Sequence, residues 1–172
     1  MKNINKILIL GGPGSGKTTL AKKIGERYNL PTYHIDGIHH LENWKIRDKE
    51  ERDKIILKIT EKPKWVIDGN YKSTLSERIK KCDLIIYLKY PTIIRVKGIF
   101  QRYLKGKGKE KAEIPGCEER MSFKFIMHTI NWNKKKGNTI EDILNKYPDK
   151  EIKIFRNRRE LNNWWRQELR LP

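Results

Sequence analysis

Gly11, four further residues and then Gly16-Lys17-Thr18 give the stretch GGPGSGKTT, residues 11–19, the spacing of a loop that wraps phosphate. Gly11, Gly12, Gly14 and Gly16, with Pro13 and Ser15 between them, allow backbone angles that turn successive N–H groups toward phosphate oxygens. Lys17 reaches the β and γ phosphates of a nucleoside triphosphate, and the Thr18 hydroxyl can take a place on Mg2+. Thr19 adds a phosphate contact at a helix N-terminus, where the backbone dipole favours anions. An apolar strand enters this loop and an amphipathic helix leaves it, a context that a chance Gly-rich turn does not supply.

The next carboxylate lies in KWVIDGNY, residues 64–71. An apolar strand ends there in Asp68, beside the cradle, where it can hold Mg2+ directly or through water. Asp-Gly is also ordinary turn chemistry, the plainer reading of Asp68. Hydrolytic phosphate-loop motors commonly follow this Asp with a Glu that activates water. Here Gly69 and Asn70 follow. With no carboxylate at that spot, transfer to an acceptor is favoured over hydrolysis.

HIDGIHHLENW places Asp36 at the carboxyl edge of the expected second strand, where open α/β sheets put ligands. A kinase acting on a hydroxyl needs a group there to orient the nucleophile and accept its proton. Asp36 is the candidate for that role. His39 and Trp44 follow in an expected acceptor-binding segment, about residues 36–62, with Asn70 on the cavity's other side. Adjacent His39 and His40 point different ways in regular structure and lack further ligands, which disfavours a zinc site.

YPTIIRVKGIFQRYL reads as a helix with Val96, Ile99, Phe100 and Tyr103 as its apolar stripe. Arg95 and Arg102 are nearly two turns apart and share a face. Arg95 is expected at the acceptor. Arg102, with Arg120 across the Gly/Lys-rich segment, is expected to neutralise charge on the migrating phosphoryl group. A solvated basic face is the plainer alternative. KGKGKEK, residues 105–111, reads as a mobile loop.

Strands are expected at 6–10, 32–35, 65–67, 84–88 and 152–155, alternating with helices, which is an α/β pattern. The continuous apolar run LIIYL implies burial on both faces and a parallel sheet. Helices are expected over 17–28 and 47–60. Thr74 with Glu77 and Thr139 with Asp142 suggest capping boxes. Leu161, Trp164 and Trp165 give the last helix an aromatic face that reads as core packing, with base stacking as the alternative. Arg156, after the last strand, is placed near the nucleotide base.

A chain of 172 residues is expected to form one domain, residues 1–172. Its apolar start is too short for a signal peptide and no run is long enough to span a membrane. Two unpaired-looking cysteines suit a reducing cytoplasm. A net charge of +18 is compatible with nucleic acid or another polyanion, and also with a Lys- and Ile-rich genome bias.

Taken together, GGPGSGKTTLAKKI, Asp36 and WVIDGNY resemble the nucleoside monophosphate kinase-like group, which includes adenylate, shikimate and gluconate kinases. DGNYKSTLSER, the PGC at 115–117 and FRNRRELNNWW are similar to bacterial DNA topology modulation (FlaR-related) proteins. The resemblance implies a three-layer P-loop NTPase fold: a five-stranded parallel sheet of order 2-3-1-4-5 flanked by helices, with a short lid at about 103–120. It implies ATP and Mg2+ at Lys17 and Thr18, Asp36 in the acceptor site, and Arg102 and Arg120 as lid-side phosphate ligands. The Asp-Gly-Phe-Pro-Arg stretch of adenylate kinases appears here as DGNYK, without its arginine, so a different acceptor is implied.

The expected function is Mg·ATP-dependent transfer of the γ-phosphoryl group to a metabolite, nucleoside or nucleotide, by a monomer or homodimer. The alternative is an ATP-binding regulatory protein that binds DNA and influences its topology.

Overall fold

The computed structural model describes residues 4–111, 113–119, 121–132 and 138–168. Five strands form a parallel sheet: β1 (Lys6–Gly11), β2 (Thr32–His34), β3 (Trp65–Asp68), β4 (Leu84–Leu88) and β7 (Glu151–Phe155), in the order β2-β3-β1-β4-β7. Counting only the sheet's own strands, this is the expected 2-3-1-4-5 order.

Both faces of the sheet are covered, as the unbroken apolar strands require. Leu8 and Leu10 join a cluster with Ile35, Ile56, Trp65, Ile67, Ile79 and Tyr87. Ile7 and Ile9, pointing the other way, join Leu20, Ala21, Ile24, Val66, Ile86 and Leu88. Helix α1 (Lys17–Tyr28) supplies Leu20, Ala21 and Ile24 to this second cluster. Helix α8 (Arg158–Glu168) packs against it through Leu161, Trp164 and Trp165. The aromatic face of α8 is thus a core face, as its spacing suggests.

The structure corrects local expectations in four places. Ile35 opens helix α2 (Ile35–His39) instead of ending β2, so Asp36 stands in a helical first turn. Helix α3 (Lys49–Thr60) starts later than expected because Asp48 caps it, its Oδ1 accepting from the N–H groups of Glu50 and Glu51 at 2.8 and 3.0 Å. Thr74 precedes α4 (Leu75–Lys81) without capping it; its hydroxyl accepts from Arg78 Nε at 3.2 Å, while Glu77 pairs with Lys80. Thr139 lies within α7 (Asn138–Leu144) and so is not its cap.

KGKGKEK is likewise no simple loop. It spans the end of α5 (Thr92–Gly106), a bridge from Lys107 to Glu119, and strand β5 (Glu110–Lys111), which pairs antiparallel with β6 (Ile114–Glu118). Helix α6 (Phe123–Trp132) follows. Among the described residues, no helix is long and apolar enough to cross a membrane.

Candidate active site

β1 lies between β3 and β4; the chain runs from β1 to β2 on one side of it and then crosses from β3 to β4 on the other. That reversal makes a crevice at the carboxyl ends of the strands. The register puts Asp68 opposite Ile9 and Leu88 opposite Gly11, so the loop after β1 rises between a carboxylate and the start of the segment leading to α5.

The loop takes its shape from glycines and from α5. Gly14 and Gly16 adopt φ of 75° and 90°, values that side chains disfavour. A Cβ on Gly14 would strike the Arg95 carbonyl, and one on Gly12 would lie 2.6 Å from Arg95 Nη1. On the facing helix, a Cβ on Gly98 would strike the Gly14 carbonyl. Loop and helix are therefore in backbone contact.

Arg95 fills this junction at 0% exposure, beneath the loop, and so is not the open acceptor contact expected from sequence. Its Nε donates to the Tyr90 carbonyl at 3.2 Å, an Nη donates to Thr92 Oγ1 at 3.1 Å, and its guanidinium lies 5.3 Å from the centre of the Trp132 ring. Arg102, seven residues on, keeps 43% of its side chain exposed and donates to Glu119 Oε1 at 3.0 Å. The two arginines share a helical face but not an environment: Arg95 underpins the phosphate loop, and Arg102 meets the hairpin. Within the expected apolar stripe, Ile99 is buried while Phe100 is half exposed.

Lys17 Nζ donates to the Gly12 carbonyl at 3.1 Å. Burial lowers its pKa from the ordinary lysine value, whereas Asp36 and Asp68 raise it, which puts both carboxylates within electrostatic reach of the amine. Thr18 is half-buried in the first turn of α1, Thr19 is exposed beside it, and Ser15 is buried. Among the described residues, the Ser15 hydroxyl has no hydrogen-bond partner.

Asp68 is buried. His34 Nδ1 lies 3.1 Å from its Oδ1, and its Oδ2 has no hydrogen-bond partner among the described residues. An enclosed carboxylate oxygen left without a donor fits a cation. Among the described residues there is no cluster of three His, Cys, Asp or Glu side chains that could hold a metal alone. That donor set suits Mg2+, which binds through one or two protein oxygens together with phosphate and water.

Asn70 bonds to the loop rather than opening toward the acceptor side. Its Oδ1 accepts from the Gly11 N–H at 3.0 Å and its Nδ2 donates to the Gly11 carbonyl at 2.7 Å. Tyr71 points the opposite way, its hydroxyl donating to Asp36 Oδ1 at 3.2 Å. The turn 69–71 is itself held by Arg78, which is fully buried: its guanidinium donates to the carbonyls of Gly69 at 2.7 Å and Tyr71 at 2.5 Å.

A wall of rings extends from Tyr71. Its ring centre is 4.9 Å from that of His39, His39 is 4.6 Å from His40, and His40 is 5.3 Å from Trp44. Arg52 lies 4.9 Å from the Tyr71 ring centre, donates to Asp53 and Ser73, and donates to His39 Nδ1 at 3.4 Å. Burial, then the His40 and Arg52 charges, lower the His39 pKa from its ordinary value. The imidazole is thus the neutral acceptor that Arg52 requires. Burial and Asp36 raise the Tyr71 pKa, so its phenol stays protonated and donating.

The hairpin closes on this wall. Cys117 Sγ accepts from the Trp44 N–H at 3.1 Å and donates to the Leu41 carbonyl at 3.4 Å. Lys22 pairs with Glu113 at 2.6 Å, and Gly37 lies against the Glu113 backbone. Asn43 and Trp44 both take left-handed φ, 57° and 60°.

The crevice therefore gathers Lys17, Asp36, Asp68 and the phosphate loop, with His39 and Trp44 in the wall beside Asp36. Exposed Arg156 sits before α8, its N–H donating to Glu160, and Arg120 lies outside the described residues. Arg52, Tyr71, Arg78 and Lys111 were not singled out from sequence. Periodicity could have flagged only Arg78, a charged residue on the same α4 face as Leu75 and Ile79.

Residues 7–81, less than half of the chain, match a family described as "ATPase family associated with various cellular activities (AAA)". Comparison with curated proteins gives no significant match. Among solved structures, shikimate kinase from Acinetobacter baumannii in complex with shikimate is similar, with a TM-score of 0.62 and 16% identity over 99% of this chain and 97% of that one. A gluconokinase from Sinorhizobium meliloti 1021 aligns over 66% of this chain and 71% of that one, at 16% identity and a TM-score of 0.46. The agreement over nearly the whole of both chains in the first case is one of fold: this chain has the α/β P-loop NTPase architecture of that shikimate kinase structure.

Proposed function

We propose that the protein is a Mg·ATP-dependent kinase that phosphorylates a hydroxyl group of a small molecule. The observation that carries this reading is the convergence of three parts at one sheet edge. They are the phosphate loop with Lys17, the Asp68 oxygen that has no hydrogen-bond partner among the described residues, and Asp36 held by Tyr71 within electrostatic reach of Lys17. The likeness in fold to a shikimate kinase supports it.

In this mechanism the loop N–H groups and Lys17 hold the donor phosphates, with Lys17 exchanging its bond to Gly12 for phosphate oxygen. Thr18 and Asp68 would hold Mg2+, which supplies charge neutralisation across the phosphates. Tyr71 fixes the Asp36 carboxylate. The acceptor oxygen forms a bond to the γ-phosphorus, the bond from that phosphorus to the bridging oxygen of ADP breaks, and the hydroxyl proton passes to Asp36. Arg102, released from Glu119, adds positive charge at the migrating group. Arg120 is proposed for the same task.

No carboxylate follows Asp68 directly to activate water, which favours transfer over the hydrolysis that the matched ATPase family's name describes. The test is an acceptor screen with γ-labelled ATP and Mg2+. Label appearing on an acceptor, and lost in Asp36→Asn, supports the reading; slow phosphate release unchanged by every acceptor overturns it.

The net charge of +18 favours one second reading, a nucleotide-controlled DNA-binding protein. Binding that distinguishes supercoiled from relaxed plasmid and changes with ATP supports it. Uniform binding that vanishes at physiological salt is electrostatics alone.

A further inference from the structure

We propose that helices α5 and α6 together form a membrane-docking face, which seats their exposed apolar side chains in the surface of an anionic lipid bilayer. This goes beyond the kinase reading and does not depend on it.

Of the eleven large hydrophobic side chains exposed among the described residues, six lie on these two helices: Ile93, Phe100 and Leu104 on α5, and Phe123, Met127 and Ile130 on α6. Spacings of i, i+7, i+11 on α5 and i, i+4, i+7 on α6 put each trio on a single helical face. Ile93 and Phe123 are each 78% exposed and Leu104 61%, so these are not the rims of buried side chains. Single apolar residues are ordinary on a protein surface; two whole stripes on adjacent helices are not.

The helices pack side by side and run antiparallel. α5 leads from the phosphate loop to the hairpin, and α6 returns to bring Trp132 within 5.3 Å of the Arg95 guanidinium. Arg95 and Ile99 are the buried side of α5, Thr129 and Trp132 that of α6. Both apolar trios stand across the helix axes from these positions, on the outward side of the pair. Gly98 meets Gly14 away from the stripe, so a surface held there does not compete with the phosphate loop.

Charge identifies the occupant. Neither helix contains Asp or Glu. Lys97, Lys105 and Lys124 are exposed on them, and exposed Lys107 and Lys109 follow α5. A second copy of the chain would set these lysines against their own kind. Nucleic acid would meet the lysines but gain little from Ile93, Leu104, Met127 and Ile130, which offer bases no ring to stack on. A bilayer with anionic headgroups uses both features: the headgroups attract the lysines, and the acyl boundary takes the apolar side chains.

A chain of net charge +18 attracts anionic vesicles through any face, so the test separates the stripe from the total charge. The full chain is floated at physiological salt with vesicles of equimolar phosphatidylcholine and phosphatidylserine, and with phosphatidylcholine vesicles. Binding to the first and not the second is expected. Leu104→Ser combined with Phe123→Ser keeps every charge and should lower vesicle affinity at least about tenfold. Lys97→Glu with Lys124→Glu should lower it as much, whereas Lys58→Glu with Lys146→Glu, the same change of charge at exposed lysines off this face, should cost under about threefold.

A second measurement does not rely on loss of binding. Both native cysteines are buried, so an environment-sensitive fluorophore can be placed on Phe123→Cys. Its emission should shift to the blue on the anionic vesicles, and the same label on Lys58→Cys should not shift. Serine variants that bind as wild type does, equal losses from the two charge-reversal pairs, or no shift at position 123 overturn the proposal. So does a dimer or a plasmid complex that is lost in the serine variant while vesicles bind neither form.

Discussion

Asn70 is bonded face to face with the backbone of Gly11, accepting from its N–H at 3.0 Å and donating to its carbonyl at 2.7 Å. The first residue of the phosphate loop is thereby fixed by a side chain from the end of β3. Asn70→Ala leaves both Gly11 groups without these partners, at a cost of about 1–3 kcal/mol. The KM for ATP is expected to rise several-fold and the melting temperature to fall. Asn70→Asp, which sets a second acceptor against the Gly11 carbonyl, should do at least as much harm.

Asp68 offers one oxygen to His34 and keeps the other without a hydrogen-bond partner among the described residues. If that oxygen serves Mg2+, Asp68→Asn should raise the Mg2+ concentration for half-maximal activity and lower turnover by about 10²-fold, the scale of losing one electrostatic stabiliser. Isothermal titration with MgATP and with metal-free ATP checks the assignment. Equal losses of affinity for both would count against a metal role.

Asp36→Asn keeps the contact from Tyr71 geometrically feasible but removes the carboxylate proposed to accept the proton. Turnover is expected to fall by about 10²–10⁴-fold, the usual range for a general base, with ATP affinity nearly unchanged. Tyr71→Phe, which leaves the carboxylate in place but unanchored, should have a smaller effect. Single-turnover rates with labelled ATP distinguish the two variants.

His39 supplies a pH dependence whose sign is fixed. Its folded-state pKa lies below the ordinary value of 6.5, so below pH 6.5 the unfolded chain takes up a proton that the folded protein refuses. Stability should be at its plateau above pH 6.5 and decline as pH falls toward the folded-state pKa. Urea denaturation between pH 7.5 and about 5 measures this, and His39→Gln should flatten the slope. An unchanged slope in that variant would place the titrating group elsewhere.

Arg78 is buried and, among the described residues, directs its donors to Gly69, Tyr71 and Thr74 and not to a carboxylate; burial pushes its pKa down to about 9. Arg78→Met leaves the buried Gly69 carbonyl and the part-buried Tyr71 carbonyl without these donors and should cost about 2–4 kcal/mol of stability. Arg78→Lys, which cannot span both carbonyls, should recover part of it. Both should disturb Asn70 and Tyr71 together, visible as a joint rise in KM for ATP and acceptor.

Much of the architecture was legible because burial on both faces writes itself into sequence. LIIYL, KILIL and WVI needed no tertiary information to be read as strands, and the glycine spacing announced the loop. What stayed hidden depends on depth. Helical periodicity put Arg95 and Arg102 on one face, yet about 10 Å of helix separates them, enough for one to lie under the loop and the other beyond it. Asn70 and Tyr71 are neighbours in sequence, but the turn held by Arg78 sends one to Gly11 and the other to Asp36. Lys111 looked like one more charge in a lysine-rich run; only hairpin pairing brings it to Trp44.

The backbone contacts among Gly12, Gly14, Arg95 and Gly98 have a mechanical consequence. They fasten helix α5 at its loop end, while its other end carries the hairpin. From Gly98 to Gly106 is about 12 Å of helix, so α5 is a lever with its pivot on the phosphate loop. A tilt of about 5° at the pivot moves the far end by roughly 1 Å, comparable to the slack in a hydrogen bond such as that between Cys117 and Trp44. Small adjustments of the loop after β1 are thereby geared to the grip of the hairpin on the ring wall of His39, His40 and Trp44.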